Sequence, residues 1–228
     1  MLIHTRRRSC VALGVVLLSL CAVSSVAWIA PKSDAVQQPR RKASMPAGDR
    51  DQWQMSARVM DEIGVRPGMT VADVGAGEGW FTFRLADRVG AAGRVIAEDI
   101  DAPAMNALRE ECAVQRAANI SVLVGDPEDP KLPAGTVDVA LMVNVLSALG
   151  SVNKAHFLGN LAKGLKPDGR LVIIEWDPVK GQQLTAQEFE PELAKELRSL
   201  KDAQFEVVKT LDFLPRQSMW ICVRRTRE

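Results

Sequence analysis

Short apolar runs alternate with helical segments along most of this chain, and that alternation constrains its fold more than any other feature. Segments of helical composition occupy residues 80–89, 102–115 and 153–165. The runs of strand character are TVADVGAG, RVIAEDI, ISVLVGD, VDVALMVNVL and RLVIIEW, beginning at residues 70, 94, 120, 137 and 170. Repeated strand-helix-strand units of this length predict an α/β fold, a parallel sheet with helices on both faces.

The two ends of this region follow a different pattern. Residues 185–200 are predicted to be helical, and two apolar runs, FEVVKTL and SMWICVRR, are then separated only by DFLPRQ. So short a connection favours an antiparallel hairpin at the end of the sheet. Upstream, QWQMSARVMDEIG predicts one opening amphipathic helix, and KPDG before the fifth strand predicts a turn.

The N-terminal residues are set apart by their composition. Residues 1–30 combine an arginine triplet with about twenty apolar residues, which is typical of a signal peptide or a membrane anchor. Both outcomes stay open, as does the side of the membrane, because basic residues flank the apolar run on both sides. Residues 31–48 are predicted to be a disordered linker, and residues 49–228 one domain.

Charge and residue usage exclude several classes of function. The net charge is +1, from 29 basic and 28 acidic residues, which argues against a nucleic-acid-binding face. The four cysteines form no CxxC pair or ligand cluster, so no metal site is expected. The chain has two histidines and no tyrosine, so its site must work without a histidine dyad or a phenol. No protein partner is predicted.

Three glycines, Gly75, Gly77 and Gly79, occupy the predicted turn between the apolar run of the first strand and the helix that follows it. In an open parallel sheet, ligands bind beyond the carboxyl ends of the strands, and the first strand-to-helix turn lies at that edge. Glycines allow positive φ and close approach of a ligand, while the following helix offers unpaired N–H groups. The alternative is a tight turn without a ligand.

Acidic residues around this turn indicate what the ligand carries. Asp73 lies two residues before the first glycine, and a buried carboxylate there suits a positive amine better than a pyrophosphate. The dinucleotide fingerprint would also need glycine at position 80, where the chain has Trp80. Asp99, after the second strand, suits the ribose hydroxyls, and Asp126, after the third, suits an adenine amine. Each acid alone could instead stabilise a turn or be solvated; together they describe a nucleoside with a cationic amino-acid tail.

The segments DVGAGEG, GRVIAEDID, GDPEDPKLPAGTVDVALMVNVL and LKPDGRLVIIEW resemble the class I S-adenosylmethionine-dependent methyltransferases, especially small bacterial members of the quinone-biosynthesis type. The resemblance runs from about residue 51 to the C-terminus. It implies a Rossmann-like, doubly wound, mostly parallel seven-stranded sheet with an antiparallel C-terminal strand, and S-adenosylmethionine as cofactor. It also implies that the glycine turn and Asp73 hold the methionine part, Asp99 the ribose and Asp126 the adenine.

The catalytic residue is not assigned by the sequence. Related sequences often have an aromatic-His-acid run after the fourth strand, where this chain has VLSAL at residues 145–149. Methyl transfer is an in-line displacement that depends on alignment and has no obligatory proton transfer. Asn144 could orient the substrate or cap the next segment, and Ser147 is a second candidate. His156 is expected to be an exposed or packed histidine.

The sequence thus predicts an S-adenosylmethionine-dependent methyltransferase acting on a small-molecule or lipid-like acceptor, and tethered to or exported across a membrane. Trp53 and the opening helix are expected to cover the substrate, and Trp80 to shield the cofactor or pack. Two alternatives remain: a binding module without transfer activity, and a nicotinamide oxidoreductase, which Trp80 disfavours.

Overall fold

The computed structural model describes residues 47–225. The predicted signal or anchor at residues 1–30 lies outside the described residues, as does the predicted linker apart from its last two residues. Within 47–225, no helix combines the length and apolar character needed to cross a bilayer.

Seven strands form one sheet in the order β3-β2-β1-β4-β5-β7-β6. Of these, β7 pairs antiparallel with both β5 and β6, and the pairs among β1 to β5 are parallel. The predicted hairpin and the mostly parallel, doubly wound sheet are confirmed. The strands are β1 (Thr70–Val74), β2 (Arg94–Asp99), β3 (Ile120–Val124), β4 (Val137–Val143), β5 (Leu165–Trp176), β6 (Phe205–Leu211) and β7 (Gln217–Arg224).

Six α-helices and one short 3₁₀ helix connect the strands in the described part of the chain. Several begin where a polar side chain accepts a backbone N–H: Asp101 before α4, Asn153 before α5, and Thr185 before α6, where Glu188 completes a capping box. The helices are α1 (Ala47–Gln54), α2 (Ser56–Glu62), α3 (Trp80–Val89), α4 (Ala102–Gln115), the 3₁₀ helix Ser147–Leu149, α5 (Lys154–Gly164) and α6 (Ala186–Asp202).

The central strand β4 is buried on both faces, as its continuous apolar run predicts. Alternate residues of β4 divide between two clusters: Val139 and Leu141 pack with α2 and α3, and Ala140 and Met142 pack with α5 and α6. The α2/α3 face is therefore distinct from the α5/α6 face, and the positions along a strand alternate between them.

Two local predictions were wrong. The predicted single opening helix is two helices, because Met55 takes a left-handed conformation with φ of 45° between α1 and α2. The KPDG segment lies within β5, where it forms an outsized bulge: Val137 pairs with Leu165, but Val139 pairs with Arg170. Three more residues lie on the β5 side of this interval than a regular ladder would hold.

Candidate active site

The glycine turn is bonded to the end of the neighbouring strand. The N–H groups of Gly75 and Ala76 both donate to the carbonyl oxygen of Glu98, each at 2.8 Å. The N–H of Gly77 donates to Oδ2 of Asp99 at 2.9 Å. The turn after β1 and the acid that ends β2 are therefore one hydrogen-bonded unit at the carboxyl edge of the sheet.

The three glycines of the turn have different roles. All have positive φ, at 72°, 55° and 82°. A Cβ on Gly75 would lie 2.3 Å from Cγ2 of Val145, and one on Gly79 would lie 2.6 Å from Cδ1 of Leu108. A Cβ on Gly77 would meet nothing within 4 Å. Gly75 and Gly79 thus permit packing, which the sequence reasoning missed, and Gly77 is the position open to a ligand.

Asp73 is buried directly below this turn. Its Oδ2 accepts a hydrogen bond from Oγ1 of Thr82, on α3, at 2.7 Å. Burial raises the pKa of Asp73 to about 6, although the Thr82 hydrogen bond and the charge of Arg50 act in the opposite direction. A ligand ammonium at this carboxylate would lower that pKa and stabilise the ionised form.

Arg50 is a site residue that the sequence reasoning missed. Its guanidinium lies 4.9 Å from the centroid of the Trp80 ring, and that of Arg84 lies 3.6 Å from the same ring. Burial lowers the pKa of Arg50, and the charge of Asp73 counteracts this. Arg50, Trp53 and Gln54 share the i, i+3, i+4 spacing of one helix face, which is the signal that could have identified them.

Of the two predicted nucleoside-binding acids, Asp99 ends β2 and Asp126 lies in the loop after β3. Asp99, besides binding Gly77, accepts the N–H of Asp101 at 3.0 Å, and Asp101 itself caps α4. Asp126 is exposed and forms an ion pair with Lys131 at 2.7 Å. The N–H of Gly125 donates to the carbonyl oxygen of Asp99 at 3.2 Å, which brings the β3 loop beside the end of β2. Their binding roles stay predictions.

Glu98, the neighbour of Asp99, has the most strongly shifted pKa of the carboxyls next to the turn. Its side chain is 2% exposed, and a Cβ on Gly125 would lie 1.9 Å from its Oε1, so glycine is required there. Burial raises the pKa of Glu98 to about 8, and the charge of Asp99 adds to this.

The loop after β4 holds the two candidates for catalysis. Asn144 has a φ of 56°, and its Oδ1 accepts from Nε2 of Gln217 at 3.0 Å. Ser147 donates its hydroxyl to Oε2 of Glu175 at 2.6 Å, and the N–H of Leu146 donates to Oε1 at 2.7 Å. Burial raises the pKa of Glu175, and these hydrogen bonds oppose the rise. Ser147 is thus bonded into its turn, while Asn144 lies beside β7.

Aromatic side chains lie above the ends of β5 and β7. Trp53 of α1 makes an edge contact with Trp176, the last residue of β5, with ring centroids 6.2 Å apart and planes at 81°. That Trp53 and α1 cover the substrate stays a prediction. His156, in the first turn of α5, is exposed.

Together, the sheet order, the glycine turn and the acid that ends β2 define a class: doubly wound proteins with a nucleoside site at the carboxyl edge. A family model described as a methyltransferase domain matches residues 71–169, which include the turn and both predicted nucleoside acids. Residues 71–169 therefore form a methyltransferase domain, and the chain is similar to the class I S-adenosylmethionine-dependent methyltransferases.

Individual relatives agree with this assignment. Nocamycin O-methyltransferase of Saccharothrix syringae is 36% identical over 117 residues, covering 51% of this chain and 41% of that protein. The ubiquinone/menaquinone biosynthesis C-methyltransferase UbiE of Hydrogenovibrio crunogenus is 31% identical over 118 residues, covering 51% and 45%. Each alignment therefore spans less than half of the relative's length.

Solved structures share the fold over more of the chain. A SAM-dependent methyltransferase from Aquifex aeolicus superposes with a TM-score of 0.64 at 25% identity, covering 78% of this chain and 98% of that one. Geranyl diphosphate C-methyltransferase from Streptomyces coelicolor has a TM-score of 0.61 at 18% identity, covering 78% and 80%, and shows the fold alone.

Proposed function

We propose that this protein binds S-adenosylmethionine and transfers its methyl group to a small or lipophilic acceptor. The observation that carries the proposal is the turn after β1. There the backbone at Gly77 is open to a ligand and bonded to Asp99, with Asp73 and Arg50 close by.

Each charged group in this cluster suits one part of the cofactor. Asp99 would accept the ribose hydroxyls, and Asp126 would lie by the exocyclic amine of adenine. Asp73 would face the ammonium of the methionine tail, and Arg50 its carboxylate. The pairing of an acid and a guanidinium at one turn fits a zwitterionic amino-acid tail better than either group alone would.

The bound cofactor supplies an electrophilic methyl group on a positive sulfonium. In the transfer, a lone pair of the acceptor forms the new bond to the methyl carbon as the sulfur-carbon bond breaks, and its electron pair stays on sulfur. The protein's contribution is to hold the two reactants in line and close together. Asn144 lies at the end of β4, where it could orient a polar group of the acceptor.

Comparing S-adenosylmethionine with 5′-methylthioadenosine, which lacks the amino-acid tail, tests this arrangement. Arg50→Leu is expected to weaken S-adenosylmethionine about tenfold, because a charge-assisted hydrogen bond contributes about 1.5 kcal/mol or more. It should leave 5′-methylthioadenosine unchanged, whereas Asp99→Asn should weaken both ligands. Isothermal titration calorimetry measures the four affinities.

The exposed Arg58 of α2, which stacks on Phe213 at 4.2 Å, provides a matched control, since Arg58→Leu should change neither affinity. An equal loss of both ligands in Arg50→Leu would contradict the role of Arg50. Failure of the wild-type protein to bind S-adenosylmethionine would contradict the proposed function. Binding with no methyl transfer to any acceptor would instead support a binding module.

For the N-terminal segment, we propose membrane attachment through the apolar run of residues 11–30, with the domain facing the cytosol, where S-adenosylmethionine is made. Cytosolic placement supplies the cofactor without export. A reporter enzyme active only in the cytoplasm, fused to the C-terminus, is expected to be active; a periplasm-specific reporter fused at the same point should be silent. The reverse pattern would show that the domain is exported.

A further inference from the structure

Four buried polar side-chain atoms lack a hydrogen-bond partner in the part of the chain that the structure describes: Trp53 Nε1, Gln54 Nε2, Trp80 Nε1 and Gln217 Oε1. Gln54 is 1% exposed and Gln217 is 0% exposed. Leaving such a group unpaired costs about 1–3 kcal/mol. Buried donors and acceptors without a partner indicate a ligand that would form the missing hydrogen bonds.

Contacts connect three of these residues at one place. Trp53 and Gln54 are neighbours on α1, and Trp53 contacts Trp176. Trp176 pairs with Gln217 in the antiparallel ladder of β5 and β7, so their side chains project from the same face of the sheet. Gln217 in turn donates to Asn144. The cluster thus lies at the carboxyl ends of β4 and β5 and the amino end of β7, beside the turn assigned to the cofactor.

The face that carries the cluster is the one that carries Asp73. Residues 172 and 174 of β5 and residues 219 and 221 of β7 belong to the α2/α3 core, and the alternation along each strand extends it to Trp176 and Gln217. Asp73 bonds to Thr82 of α3 on the same side. A ligand at the tryptophan pair would therefore share one face with the cofactor.

Nearby carboxylates are already satisfied. Asp177 accepts from Ser218 Oγ at 2.6 Å and from the N–H groups of Val179 and Lys180. Glu175, one position away from Trp176, alternates to the opposite face and binds Ser147. The cluster thus presents two aromatic rings, an amide oxygen and N–H donors, with no spare carboxylate for a cation. This chemistry suits an uncharged planar molecule better than a cation.

We propose that the acceptor is a neutral aromatic molecule carrying a hydroxyl or N–H group, whose ring packs against Trp53 and Trp176 and whose donor binds Oε1 of Gln217. The proposal rests on the proposed function and narrows its acceptor. Aromatic contacts of this kind contribute about 0.5–1.5 kcal/mol beyond burial, and a recovered hydrogen bond contributes about as much. Removing either the aromatic ring or the hydrogen-bond donor from the ligand is therefore expected to lower its affinity by up to about tenfold.

Four probes separate these contributions, each titrated calorimetrically into protein saturated with S-adenosylhomocysteine. The probe 2-naphthol has both ring and donor; 2-methoxynaphthalene lacks the donor, decahydro-2-naphthol lacks the aromatic ring, and phenyltrimethylammonium carries a positive charge. We expect 2-naphthol to bind most tightly, with each of the other three about tenfold weaker. Equal affinity of the first three probes, or tightest binding of the cation, would overturn the proposal.

Substitutions test which residue causes each of these binding preferences. Gln217→Leu should abolish the preference for 2-naphthol over 2-methoxynaphthalene, and Trp176→Leu should abolish the preference over decahydro-2-naphthol. Gln52→Leu, on the exposed side of α1, should change neither. Retained preferences in the first two variants would overturn the assignment of these residues.

The affinity for S-adenosylhomocysteine is read in every variant as the check on folding. If the wild-type protein does not bind S-adenosylhomocysteine, both the proposed function and the acceptor proposal are wrong. If the wild-type protein binds S-adenosylhomocysteine but binds the four probes with equal affinity, only the acceptor proposal is wrong. The wild-type comparison needs no variant, so a misfolded variant would not prevent the test.

Discussion

Replacing Gly75 by alanine is expected to lower the melting temperature by about 10 °C. The new methyl group would lie 2.3 Å from Cγ2 of Val145, and the residue would have to keep a φ of 72°. Left-handed backbone costs a residue with a Cβ about 1–2 kcal/mol, and overpacking costs about 1–3 kcal/mol. A total near 3 kcal/mol produces about this shift in a domain of this size. Thermal unfolding followed by circular dichroism measures it.

The control for Gly75→Ala is Gly135→Ala, because Gly135 also has positive φ, of 64°, but a Cβ there would meet nothing within 4 Å. Gly135→Ala should lower the free energy of unfolding only by the cost of a left-handed backbone, about 1–2 kcal/mol. In a double-mutant cycle with Val145→Ala, the Gly75→Ala penalty should shrink towards that smaller value. Equal penalties for the two glycine substitutions would show that contact with Val145 is not the cause.

The Glu98→Gln variant is expected to be more stable than the wild-type protein above pH 8. The folded-state pKa of Glu98 is raised by burial to about 8, above its ordinary value of 4.5. The stability it contributes is therefore complete below pH 4.5 and lost as pH rises through about 8, where the buried carboxyl must ionise. Glutamine keeps the shape without ionising, and we expect a gain of at least about 2 kcal/mol at pH 9, or about 5 °C in Tm.

Melting curves between pH 6.5 and 9 isolate Glu98, because Asp73, with a pKa raised to about 6, titrates mainly below this range. Wild-type Tm should fall across the range and that of Glu98→Gln should not. Glu128→Gln, at an exposed glutamate of the β3 loop, should behave as the wild-type protein does. A parallel fall in Glu98→Gln would contradict the assignment.

Local sequence signals were sufficient for most of the fold. The helix at residues 80–89 and the helix at 102–115 have the predicted limits, and the apolar run of β4 is buried on both faces as predicted. Each follows from the periodicity of its apolar residues, and the start of α4 is also marked by its cap, Asp101. The hairpin of β6 and β7 followed from the shortness of its connection.

The missed features depend on contacts between distant residues. The break at Met55 has no glycine or proline to mark it. Gly75 looked like a ligand-binding glycine, yet its close neighbour is Val145, seventy positions further along the chain. Glu98 and Asp99 are indistinguishable by residue type, and only the pleat of β2 buries one and turns the other towards the turn. Sequence spacing within one element does not encode these pairings.

The position of β7 has a consequence for biosynthesis. Because β7 inserts between β5 and β6, the ribosome makes the edge strand before the strand that attaches it to the sheet. Until residues 217–224 emerge, the nascent chain would leave one side of β5 without its ladder partner and β6 without a place to pair. A polypeptide stalled before that point would expose an unpaired, apolar strand edge that is prone to aggregation, and a chaperone could cover this edge until residues 217–224 have left the ribosome.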